Sequence, residues 1–219
     1  SPDDVFGEEY ELPTEYATCT ARAAIASIEW NNRMFRLSGE SKYIDAAERT
    51  LYNVLLASVS TNGISVSPVN PLYSKGDITR VSDFSCADQH TDVCQFIPRV
   101  QSMTYGHTKD CVYVNLFTNS TAQIYLSDKT FVTMTQTTNY PWDGEININV
   151  DSLNGVSKLN LFIRIPGWAR NTPVDGSLYY YSDDNAGDVT SSTNTQPTVT
   201  DTQCYSFDAL QELTNAWTP

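Results

Sequence analysis

Side chains able to do chemistry cluster in two stretches of this chain. In the first, Asp3, Asp4, Glu8, Glu9, Glu11 and Glu15 all precede the first basic residue, Arg22. Carboxylates in pairs are the usual material of acid/base catalysis, one protonated and one ionised. Glu8, Glu9 and Glu11 alternate with Tyr10 and Leu12, so an extended segment would carry acid on both faces, with at least one carboxylate lining a pocket. The second stretch is Cys86-Ala87-Asp88-Gln89-His90, with Cys94 four residues further on. On a helix Cys86, His90 and Cys94 share a face, which suggests a metal. The two cysteines would then stand ~12 Å apart along the axis, too far for one metal or one disulfide. That leaves Cys86 and His90, two ligands only, and the alternative of a histidine packed against a loop. No metal and no cofactor are expected.

The formal net charge of −13 and sequence pI near 4.3 disfavour nucleic acid and anionic lipid, both polyanions, and favour a neutral ligand. No apolar run approaches the ~18 residues that span a bilayer. No signal peptide stands at Ser1-Pro2. Asn119-Ser120-Thr121 is an N-glycosylation sequon. With few lysines and many Thr, Ser, Asn and Tyr it points to a secreted, extracellular protein. Cysteines 19, 86, 94, 111 and 204 allow two disulfides and one thiol left over.

Ala21, Ile25, Ile28 and Phe35 recur at helical spacing up to Gly39, a residue suited to the left-handed cap. Ser41 is placed to cap a second helix with Ile44, Ala47, Leu51, Val54 and Leu55 on its apolar face. Gly63, Pro68, Pro71 and Gly76 mark strand and loop. A third helix follows, with Val93, Phe96, Ile97, Val100 and Met103 on one face and a kink at Pro98. Beyond Asp110 the period becomes two: Val112, Val114 and Leu116; Ile146, Ile148 and Val150; Leu159, Leu161, Ile163 and Ile165, the last run alternating with Lys158, Asn160 and Arg164. These read as half-buried antiparallel strands of a sandwich, two of them joined by a hairpin at Asn154-Gly155. The polar stretch 182–203 reads as a loop or weak edge hairpin. Helices followed by strands make an α+β, two-domain chain, divided near residue 108.

Four motifs in a fixed order, FGEEYELP (6–13), CADQH (86–90), YPWDG (140–144) and RIPGWA (164–169), resemble the β-L-arabinofuranosidases of glycoside hydrolase family 127, whose catalysis rests on a zinc-bound cysteine. The resemblance implies that residues 1–108 are the last helices and loops of an (α/α)6 barrel and residues 109–219 the following β-sandwich. It sets Asp4 on the general acid/base position and Thr20-Ala21-Arg22 on a Glu-Thr-Cys triplet that supplies two zinc ligands. Cys86-Ala87-Asp88-Gln89 falls on a Cys-x-Cys-Cys motif, keeping its first cysteine and placing Asp88 or Gln89 at the nucleophile. Zinc takes thiolate, imidazole or carboxylate, which Thr20 and Arg22 do not offer. Cys19 takes their place only if a deletion and a compensating insertion flank it.

Catalysis is therefore expected from Asp4, Asp88 and Glu8, with Glu9, Tyr10, Thr20, Arg22, Gln89 and His90 around the substrate. Arg22 would replace the lost cation by pairing with Asp88. The alternative is an inactive carbohydrate-binding or structural descendant of such enzymes. Trp142 and Trp168 are expected to cover the sandwich core, or else to stack on sugars. A barrel of this kind needs more helices than the chain holds, so a second polypeptide is expected to complete it.

Overall fold

The computed structural model describes residues 19–82, 87–156 and 159–169, and the strands at 174–179, 191–196, 202–207 and 213–217. The chain divides into two compact units, Ser1–Gln101 and Ser102–Pro219.

In the first unit, helix α1 spans Ala21–Ser38. Thr20 caps it, its hydroxyl accepting the Ala23 N–H at 3.1 Å. Gly39 ends it at φ 73°, donating its N–H to Phe35 O at 2.7 Å. Only glycine adopts that left-handed conformation without a Cβ penalty. Helix α2, Ser41–Thr50, runs on into a π-helical stretch, Leu51–Leu56. Ser41 does not cap it: the serine is the first helical residue and Glu40 is the N-cap, with no capping side-chain bond. Ala24, Ile28 and Phe35 of α1 and Ile44, Ala47, Leu51 and Leu55 beyond it are buried, and α1 and α2 pack on each other. Helix α3, Ala87–Phe96, continues as a 3-10 helix, Ile97–Met103. The change comes at Pro98, which cannot donate the α-helical hydrogen bond. Of the apolar face expected here, Val93, Phe96 and Met103 are buried, while Ile97 is exposed.

Among the described residues the second unit holds two sheets and a hairpin. Strands β1 (Tyr105–His107), β2 (Cys111–Val114), β6 (Leu159–Arg164), β9 (Thr202–Phe207) and β10 (Leu213–Trp217) form the first, in the order β1-β2-β6-β9-β10. Strands β3 (Ser120–Tyr125), β4 (Phe131–Thr138) and β5 (Ile146–Asn154) form the second, in sequence order. Strands β7 (Val174–Tyr179) and β8 (Ser191–Gln196) pair as an antiparallel hairpin. Val112, Val114, Leu159 and Leu161 of the first sheet meet Ile124, Val132 and Met134 of the second in one core, the arrangement of a sandwich.

Three expectations are corrected here. The strands are not all antiparallel, because β2 and β6 pair in parallel. Asn154-Gly155 is not a hairpin: β5 pairs with β4 and β6 with β2 and β9. The Gly155 turn, at φ 68°, instead carries the chain from one sheet to the other. Arg164 does not face outward with its strand's polar set, since its Nε donates to Asn115 O at 2.6 Å within the protein.

Candidate functional site

Of the expected site residues, Asp4, Glu8, Glu9 and Tyr10 lie outside the described residues, as does Cys86. Asp88 is placed on α3, but its side chain also lies outside them. The remaining four stand at the start of α1 and along α3.

Thr20 occupies the N-cap of α1, and its buried hydroxyl is used there by Ala23. Arg22, two residues into the helix, donates through Nε to Asp92 Oδ2 at 3.0 Å. Asp92 lies one helical turn beyond Asp88 on α3, so this bond joins the two helices that the resemblance assigns to the metal site. Both partners are well exposed, at 45% and 37%, and such a pair adds little stability on its own. Gln89 donates through Nε2 to Pro68 O at 3.1 Å, tying α3 to the loop after α2. His90 is partly buried on the same helix.

Neither Thr20 nor Arg22 fits a zinc ion. A capping hydroxyl is already engaged, and a guanidinium has no lone pair to give. Cys19, immediately before the cap, is a free, half-buried thiol at φ 37°. Among the described residues no group of three His, Cys, Asp or Glu side chains converges on a metal position. Cys19, Cys94 and Cys111 are all free, so the two intrachain disulfides that five cysteines allow are not formed.

Two residues escaped the sequence reading. Asp92 was legible as the next acid on the helical face of Asp88, at i+4. Glu48 is a carboxylate only 6% exposed, and its signal was its place on the apolar stripe of α2, four residues after Ile44 and three before Leu51.

In the second unit Trp142 and Trp168 do not cover the core. They are 92% and 69% exposed. Trp142 sits at a turn in which its N–H donates to Asn139 O at 2.9 Å, while Tyr140 takes the inward place against the core. After the Pro-Gly turn, Ala169 is the buried residue instead of its neighbour Trp168. Asn119 of the sequon is exposed just before β3, its Oδ1 accepting the Thr138 N–H at 2.8 Å.

Residues 1–102 match the family described as β-L-arabinofuranosidase, GH127 catalytic domain, and residues 111–209 match the GH127 middle domain. The chain belongs to glycoside hydrolase family 127. It is 27% identical to a non-reducing end β-L-arabinofuranosidase of Bifidobacterium longum subsp. longum, an alignment covering 84% of this chain and 31% of that protein. Among solved structures, a GH127 β-arabinofuranosidase superposes with a TM-score of 0.73 at 32% identity, over 93% of this chain and 35% of that one. A GH127 β-L-arabinofuranosidase from Geobacillus stearothermophilus T6 superposes with a TM-score of 0.70 at 26% identity, over 90% of this chain and 32% of the other. The chain thus spans about a third of the length of these relatives.

No helix among the described residues is long and apolar enough to cross a membrane.

Proposed function

We propose that this chain is part of a carbohydrate-active enzyme that hydrolyses a terminal glycosidic bond with carboxylates in place of zinc. The single observation that carries the reading is the state of Thr20 and Arg22. Within a catalytic-domain sequence of this family, the two positions set on zinc ligands hold a helix cap and an ion pair. A cation remains next to α3, but it is a guanidinium paired with Asp92 and cannot coordinate a thiolate as a metal does.

In this reading a protonated carboxyl from Asp4 or Glu8 delivers its proton to the glycosidic oxygen as the bond to the leaving group breaks. Asp88 acts from the opposite side of the sugar, as nucleophile or as base toward water. Glu9, Tyr10, Arg22, Gln89 and His90 surround the substrate, while Thr20 holds the start of α1 behind them. β-L-Arabinofuranosides are the first substrates to test, because the relatives are named for them.

The helices of the first unit belong, in this proposal, to an (α/α)6 barrel completed by the rest of a longer secreted protein or by a second polypeptide. Trp30, Leu37, Leu72 and Tyr73 are exposed apolar side chains of that unit, and such side chains together suit a protein contact. Asn119 is the proposed glycosylation site.

A second reading, an inactive carbohydrate-binding protein, is favoured by the same engagement of Thr20 and Arg22, which takes two positions set on zinc ligands out of metal chemistry. Hydrolysis of aryl β-L-arabinofuranosides by the native protein, compared with Asp88→Asn, Asp4→Asn and Glu8→Gln, decides between them. The enzyme reading expects activity that falls at least a hundredfold in Asp88→Asn and in one of the other two variants. Absence of hydrolysis on a broad glycoside panel would leave the binding reading.

A further inference from the structure

The exposed Trp168 stands at the outer end of a stack of aromatic rings. Arg164, 3% exposed, lies over the Phe117 ring at 5.5 Å. Phe117 meets Tyr140 edge-on at 5.5 Å between centroids, and Tyr140 lies nearly parallel to Trp168 at 6.5 Å and 16°. All three separations are within the range of favourable cation and ring contacts. The stack therefore runs from a buried guanidinium to an indole that is 69% exposed. Trp142 follows Tyr140 by two residues in the same turn, their Cα atoms within roughly 7 Å of each other, and it is 92% exposed. Its backbone is pinned by the turn, and the next acid, Asp143, accepts the Glu145 N–H at 3.2 Å.

We infer that this region is a saccharide-binding platform, in which Trp168 stacks on a ring of a neutral glycan and Trp142 supplies a second aromatic contact. The occupant follows from the chemistry around the indoles. Among the described residues the exposed large hydrophobics of this unit are Tyr125, Trp142 and Trp168, and Trp142 is followed by the acid Asp143. Asp143 and Glu145 beside Trp142 are exposed acceptors suited to sugar hydroxyls. With a net charge of −13 they repel uronate-rich polymers. An indole face, electron-rich, attracts the C–H groups of a sugar ring. The proposal rests on the carbohydrate-active reading only for the class of ligand, since the platform does not use the proposed catalytic carboxylates.

Affinity electrophoresis of the native protein through gels containing neutral arabinan, arabinoxylan or polygalacturonate tests it, with Trp168→Ala, Trp168→Phe and Trp142→Ala alongside. The expected result is retardation by a neutral polymer, weakened roughly tenfold in Trp168→Ala, less in Trp142→Ala, and largely kept in Trp168→Phe, with polygalacturonate inert. Retardation unchanged in Trp168→Ala, or none with any neutral polymer, overturns the proposal. So does a Trp168→Ala protein that changes its state of assembly by sedimentation, which would make the surface a protein contact. Binding is read without turnover, so an Asp88→Asn protein that binds but does not hydrolyse, or a native protein that binds and never hydrolyses, separates this inference from the catalytic one.

Discussion

Thr20 distinguishes a structural role from a substrate-binding one, and its substitution gives the sharpest prediction. Its hydroxyl caps α1 at 3.1 Å, and the residue is only 6% exposed, so its methyl group is buried too. Thr20→Ala removes both. The cap contributes about 1 kcal/mol and the methyl group about 0.8 kcal/mol, for a loss near 2 kcal/mol. Thr20→Ser keeps the cap and loses only the methyl group, so the two variants should differ by about 1 kcal/mol. For a unit of about this size, each kcal/mol moves the melting temperature by roughly 4–8 °C. Differential scanning calorimetry of the three proteins should therefore place Thr20→Ser midway between wild type and Thr20→Ala. A Thr20→Ala protein that melts with wild type but shows a raised KM for substrate would refute the capping argument and return Thr20 to substrate binding.

Arg22→Ala should cost under about 1 kcal/mol, because its partner Asp92 and Arg22 itself are both exposed. A double-mutant cycle with Asp92→Asn should give a coupling that vanishes in 1 M salt, and a coupling above about 2 kcal/mol would contradict the geometry. Gly39→Ala meets no atom within 4 Å of the added Cβ, so its cost is the left-handed backbone alone, about 1–2 kcal/mol; a neutral urea midpoint would be the wrong result. Leu159→Ala, at a fully buried position of the sandwich core, should lose about 2–5 kcal/mol in chemical denaturation, and a loss under about 1 kcal/mol would show that the two sheets do not share that core.

The helices were legible because each carries both its period and its stops. Ala21, Ile25, Ile28 and Phe35 follow one another at steps of four, three and seven, all helical, and Gly39 ends the run with a backbone few other residues adopt. Ser41 misled because a serine at a helix start can cap the helix or stand as its first residue, and only backbone geometry decides. In the sandwich the alternation of Val112 and Val114 and of Leu159 and Leu161 gave the strands and their buried faces. It gave no neighbours: a period of two is the same in parallel and antiparallel pairs, so β2 beside β6 was not visible. Asn154-Gly155 carries the residues of a hairpin turn, yet the pairing of β5 with β4 leaves it a crossover between sheets. Arg164 and the two tryptophans failed for a shared reason. Residue type sets an average burial, whereas a single contact, Asn115 O for the arginine or Tyr140 inside the turn for Trp142, decides the individual case. At the candidate site the motif order located α1 and α3, and Asp92 was legible as an acid on the face of Asp88, while its bond to Arg22 depends on how the two helices pack.

The central claim is glycoside chemistry without zinc, and one measurement addresses it most directly: metal content by elemental mass spectrometry on the native protein, with aryl-glycoside hydrolysis before and after exhaustive chelation. The account predicts substoichiometric zinc and a hydrolysis rate unchanged by the chelator. One zinc per chain, with activity lost on chelation and regained on adding zinc, would contradict it and make Cys19 and Cys86 the first residues to examine as ligands.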